Sequence, residues 1–114
     1  MAITYFQDTI FQTDSALEAP SVGTALKVAV NNTFNTKDYT LIVTVASINT
    51  NVKVSLEGSI DGTNYAEIIS VKTITTNSTT AYNVAITPVR WVRPRFISEA
   101  GGTAATVIFS VAAS

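Results

Sequence analysis

The sequence predicts an all-β chain folded as a small antiparallel β-sandwich, and three observations carry that prediction. In residues 52–57, Val52, Val54 and Leu56 alternate with Lys53, Ser55 and Glu57. A period of two puts the apolar side chains on one face and the polar ones on the other, as in a half-buried strand. Asp61-Gly62 then breaks the alternation, and residues 65–69 return as the next strand. Asp tolerates positive φ and Gly has no Cβ to forbid it, so the pair suits a tight hairpin turn. Elsewhere, short apolar runs are separated by turn residues, and about eight such strands make a sandwich or barrel.

The 114 residues are enough for one domain with a core that needs no covalent staples. Residues 1–13 hold two apolar-aromatic clusters, Ile3-Tyr5-Phe6 and Ile10-Phe11. They read as a first strand or as an arm packing on a neighbouring subunit, because aromatics this near a terminus imply that something ties the segment down. Residues 14–114 then form the single sandwich domain. Residues 14–21 are a loop or one helical turn, capped by Asp14 or Ser15 and stopped by Pro20. Residues 24–30 read as a strand with Leu26, Val28 and Val30 on one face. Residues 31–38 are polar and turn-rich, a loop anchored by Phe34. Residues 39–48 are the most β-branched run; Leu41, Val43 and Val45 share one face, and Ile42, Thr44 and Ala46 share the other. A strand largely apolar on both faces belongs in the middle of a sheet or against a partner.

Residues 71–74 continue the return strand of the hairpin. Residues 75–80 read as an exposed, mobile polar loop. Residues 81–86 are a strand with Tyr82 and Val84 on one face, ended by Thr87-Pro88. In residues 90–98, Val92, Pro94 and Phe96 face one way and Trp91, Arg93, Arg95 and Ile97 the other. Proline cannot donate to a ladder, so this strand is expected at an edge or with a bulge at Pro94. After the turn at Glu99-Ala100-Gly101-Gly102, residues 103–113 form the last strand, with Val107, Phe109 and Val111 on one side.

Composition narrows the chemistry. The chain has no Cys and no His, which removes disulfides, thiolate ligands and the commonest general base and metal ligand. A net charge of −1 lacks the basic excess of nucleic-acid binders. Charged residues make up 13%, against about 25% in an ordinary soluble domain. Thr, Ser and Asn fill the gap, and a neutral hydroxyl costs less to desolvate than an ion. This predicts a surface meant to be covered by other subunits. No apolar run reaches the roughly 18 residues of a membrane span. The N-terminal residues lack the pattern of a signal peptide, so use without signal-dependent export is expected.

Candidate sites are few. Trp91, Arg93 and Arg95 stand along one strand face, where a guanidinium lying over the indole would gain cation–π attraction. Such a strip suits a partner interface, since Trp and Arg dominate interface energetics. It equally suits a cross-strand ion ladder with Glu57, Glu67 or Glu99. Tyr5, Phe6, Ile10 and Phe11 are the candidate contacts of the N-terminal segment. Residues 61–64 offer too few oxygens for a calcium loop, so Asp61 and Gly62 are assigned to a hairpin turn. Asp8 with Asp14, and Glu57 with Glu67, are the carboxylate pairs available for acid–base work, and nothing in the sequence joins either pair. No nucleophile elbow and no phosphate-cradling loop occurs. The chain is read as a non-enzyme with no cofactor and no metal. Trp91, Tyr5, Tyr39, Tyr65 and Tyr82 are a further candidate set, as a sugar-stacking platform.

Ser59-Ile60-Asp61-Gly62-Thr63-Asn64-Tyr65, followed by Arg90-Trp91-Val92-Arg93-Pro94-Arg95-Phe96 and Gly101-Gly102-Thr103-Ala104-Ala105-Thr106-Val107, resembles a recurring bacteriophage pattern. It occurs in small virion structural proteins with a jelly-roll sandwich, head-decoration (cement) proteins among them. The resemblance covers roughly the second half of the chain. A similar Ser-x-Asp-Gly-x-x-aromatic turn occurs in discoidin-like domains, but this chain is shorter and lacks the two cysteines common there. The resemblance implies a jelly-roll-like fold and a homo-oligomer, expected to be a trimer. It further implies decoration of a capsid assembled in the host cytoplasm, by contact with the major capsid protein or another virion protein. Neither nucleic acid nor membrane is an expected partner. The other function expected on this scaffold is a receptor- or glycan-binding module of a tail or spike, or a tail or baseplate adaptor.

Overall fold

The structure is a computed structural model that describes residues 11–13, 17–29 and 36–114, the first of these by backbone alone. Tyr5, Phe6, Ile10, Asp8, Asp14 and the loop at 31–35 lie outside the described residues. The described residues form nine strand segments: β1 (Phe11–Thr13), β2 (Ser21–Val22), β3 (Leu26–Lys27), β4 (Tyr39–Ala46), β5 (Asn51–Ser59), β6 (Tyr65–Ile74), β7 (Ser78–Val84), β8 (Trp91–Ala100) and β9 (Thr106–Ala113). The described residues contain no helix.

Two antiparallel sheets pack face to face. One has the order β1-β9-β4-β7 and the other β2-β8-β5-β6, with β3 also on β8. Segments β2 and β3 act as one interrupted strand along the same side of β8. Counted so, the eight strands interleave as first-eighth-third-sixth and second-seventh-fourth-fifth, the two Greek-key sheets of a jelly roll.

The alternation read from the sequence sets the core. Leu41, Val43 and Val45 of β4 and Val107, Phe109 and Val111 of β9 are buried against Val52, Val54 and Leu56 of β5 and Val92 and Phe96 of β8. Each such side chain contributes about 1.5–3 kcal/mol by leaving water. Tyr82 and Val84 close one side of this core. The buried Tyr39 hydroxyl is satisfied by Thr36 and by the Val89 backbone, which ties two loops to the core's end.

Several boundaries differ from the sequence expectation. The strand expected at 24–30 is only Leu26–Lys27, with Val28 continuing into the core through a bond from its N–H to the Arg90 carbonyl. Its neighbour on β8 explains this: Pro94 has no N–H, so the ladder is broken between β2 and β3, where Gly23 N–H reaches the Pro94 carbonyl. Accordingly β8 is an interior strand, and its register shift against β5 lies by Lys53/Val54 rather than at Pro94. The loop expected at 75–80 is shorter, because Ser78–Thr80 already belong to β7. Their β-branched and hydroxyl side chains fit the sheet, and Thr79 shares a 3.0 Å hydroxyl bond with Thr44. β7 ends at Val84 rather than Ile86, which takes a φ of 55° with its N–H held by Asp38.

Candidate functional site

The two sheets present two outer faces of opposite character. On the β2-β8-β5-β6 sheet, period two sends Trp91, Arg93 and Arg95 outward from β8 and Ser55, Glu57 and Ser59 outward from β5. The register aligns them in rungs. Trp91 faces Ser59, which faces Tyr65; Arg93 faces Glu57, which faces Glu67; Arg95 faces Ser55. Arg93 Nε donates to Glu57 Oε1 at 2.7 Å, and Arg95 Nη1 to Glu57 Oε2 at 3.3 Å. One nearly buried carboxylate thus serves both guanidiniums. The ion ladder expected with a glutamate is present, and Glu57 supplies it. The cation–π pairing differs from expectation: Arg93 stacks on Tyr65 at 3.8 Å, and Lys27 lies over Trp91 at 5.7 Å. Burial raises the Tyr65 phenol above its ordinary pKa. Glu57 and Glu67 are brought side by side, but Glu57 is engaged by arginines and offers no free base.

At the end of this face, residues 60–64 form a five-residue loop between Ser59 and Tyr65 rather than a two-residue turn. Gly62 takes the positive φ, 80°, and Asp61 organises the rest. Its carboxylate accepts from the N–H groups of Asn64 and Thr63, each at 2.8 Å, and from the side chains of Asn64 and Ser59. Those donors, the Asn64 N–H foremost, hold the Asp61 carboxyl well below the usual carboxylate range. The loop packs on Trp91, whose Nε1 would lie 3.0 Å from a Cβ at Gly62. The carboxylate is therefore saturated by its own loop, and the described residues hold no group of three or more His, Cys, Asp or Glu that could bind a metal.

The sugar platform is assembled only in part, as Trp91 and Tyr65 on one rung with Ser59. Tyr39 is in the core at 1% exposure, Tyr82 faces inward, and the remaining described pair, Trp91 and Tyr65, each carries a cation on one ring face. Phe11 lies in β1, which pairs with the last strand opposite Ala112.

The opposite sheet carries the feature that sequence reading did not assemble. Outward positions are Thr40, Ile42, Thr44 and Ala46 on β4, Thr106, Ile108, Ser110 and Ala112 on β9, and Thr79, Ala81 and Asn83 on β7. None is charged. The register sets Ile42 between Ser110 and Ala81, and Thr44 between Ile108 and Thr79. Ile42 and Ile108 are 39% and 37% exposed, and a shallow depression of about 190 Å³ lies along Thr40, Ile42, Ser110 and Ala112. The other sheet's outer face, by contrast, bears Lys27, Lys53, Glu57, Glu67, Arg93 and Arg95. The neutral face was half legible: the two-sided apolar character of β4 signalled it, but not which strands would lie beside β4.

No protein-family model matches the sequence, and no curated protein matches it. The fold is similar to that of the SPBc2 prophage-derived protein YomS, with a TM-score of 0.58, 11% identity, and coverage of 91% of this chain and 93% of that one. It is also similar to the PBSX exported protein XepA, with a TM-score of 0.61, 10% identity, and coverage of 95% of this chain and 38% of that one. At these identities the likeness is one of fold.

Proposed function

We propose that the chain is a non-enzymatic phage virion structural protein that decorates the capsid surface as a homo-oligomer, with the β1-β9-β4-β7 face laid against the shell. The observation that carries this reading is the uncharged outer face of that sheet. A face of isoleucine, alanine and hydroxyl side chains can be covered without stranding an ion, which is the main cost of burying polar surface. The fold, shared over nearly the whole length of a prophage-derived protein, supports the setting. Stable attachment needs about 800 Å² per partner, and an open sheet face is a place for such an area.

The test is occupancy on particles. Virions purified from the producing phage should carry the chain at regular sites by cryo-electron microscopy. Ile42→Asp and Ile108→Lys should each reduce occupancy by about tenfold or more, while leaving the melting temperature within a few degrees, since both side chains are already partly in water. Full occupancy by both variants would overturn the reading. The rung of Trp91, Ser59 and Tyr65 favours a second reading, a glycan- or receptor-binding module of a tail. Retention on a glycan array that is lost in Trp91→Ala would select it.

A further inference from the structure

Every sheet edge in a solitary molecule invites strand addition, and proteins guard edges with short strands, charges, proline or bulges. Among the described residues, three of the four edges carry such devices. β1 pairs over three described residues, Phe11–Thr13. The β2/β3 edge is two short segments with a gap. β6 carries Glu67 and Lys72 and a register broken around Leu56 of its neighbour. The fourth edge, β7, carries none. It runs Ser-Thr-Thr-Ala-Tyr-Asn-Val without charge, proline or glycine, and pairs with β4 in unbroken register from Ser78 to Val84. Among the described residues no strand lies on its other side.

We infer that β7 is the seam through which two copies of this chain associate, pairing antiparallel across a two-fold axis at Ala81. The occupant follows from charge and shape. Pairing β7 with itself about Ala81 sets Thr79 against Asn83 and Ala81 against Ala81 on the outer face, and Thr80 against Tyr82 on the inner. No charge meets a charge, hydroxyl and amide groups find each other, and an isologous interface is satisfied by one surface patch. The neighbouring cation, Lys72, lies over the Tyr82 ring at 5.6 Å, where it is already engaged. The product is one continuous sheet, β1-β9-β4-β7 running into its symmetry mate, and it joins two neutral faces into one. This seam rests on the reading that the chain self-associates, and is independent of what the neutral face touches.

The experiment uses the full chain in free solution, by sedimentation velocity over a range of concentrations. Wild type should sediment as a dimer. Ala81→Lys and Ala81→Glu each place like charges at the two-fold axis and should weaken dimerisation by about tenfold or more. Ala81 is exposed, so both variants should keep the wild-type circular dichroism. An equimolar mixture of the two should restore the dimer, and Thr73→Lys on the guarded β6 edge should leave it unchanged. A wild type that is monomeric throughout, or an Ala81→Lys chain that still dimerises, overturns the seam. Because particle occupancy is a separate measurement, either failure stays distinct from failure of the decoration reading.

Discussion

Asp61 shows how one side chain shapes a loop. Four donors converge on its carboxylate, and all of them prefer it ionised. A carboxyl whose folded pKa is depressed contributes stability that is fully present above its unfolded pKa, about 3.9, and is lost as the pH falls toward the folded value. Asp61→Asn keeps the shape and the Oδ1 acceptor but removes the charge and the Oδ2 acceptor that Asn64 Nδ2 uses. Wild type should therefore melt higher than Asp61→Asn at pH 7, and the two curves should converge as the pH falls below about 4. Thermal melts at pH 7, 4 and 2 check this; parallel curves would show that the loop does not use the charge. The Asp-Gly pair was legible as a turn because its backbone requirement is local. The return at Tyr65 was legible too, but not the way Ser59 and Asn64 close on the Asp61 carboxylate.

The same limit governs the strands. Alternation in β4, β5, β8 and β9 was legible because each strand buries one face and period two records which. The β3 segment was not, because its start is set by Pro94 on a strand about 70 residues away, a distance over which periodicity says nothing. On β8 the sequence left the arginines divided between a ladder and an interface, and the element's own geometry now separates the two. Arg93 is 29% exposed, bonds Glu57 at 2.7 Å and stacks on Tyr65, whereas Arg95 is 46% exposed and reaches Glu57 at 3.3 Å. Arg93→Ala should destabilise by about 1–2 kcal/mol, and Arg95→Ala by less than about 0.5 kcal/mol because water screens it. Urea denaturation measures both. Equal costs would mean that the ladder acts as one cooperative unit. A loss of assembly in Arg95→Ala without loss of stability would make that residue a partner contact.

At the scale of the whole molecule, topology decides how the chain finds this structure. In both sheets nearly every pairing joins strands distant in sequence: β1 with β9, β4 with β9, β4 with β7, β2 and β3 with β8, β5 with β8. The β5–β6 hairpin is the one pairing between consecutive strands among those described, and it is also the stretch whose sequence announces itself most clearly. Loop-closure entropy has to be met before distant contacts are rewarded, so refolding should fall in the range of about milliseconds to seconds typical of β-sandwiches. The hairpin closes the shortest loop and offers β8 an edge on which to pair, so it should form in the transition state. Gly62→Val forces a β-branched residue into positive φ and against Trp91, and should destabilise by about 1–3 kcal/mol. That loss should appear mainly as slower refolding. Phe109→Ala, on the last strand, should cost about 3–5 kcal/mol and appear mainly as faster unfolding. Stopped-flow chevrons on the single Trp, Trp91, read both arms. If Gly62→Val accelerates unfolding and leaves refolding untouched, the hairpin closes late, and the two sheets must be brought together by the long-range pairs before the one local pair exists.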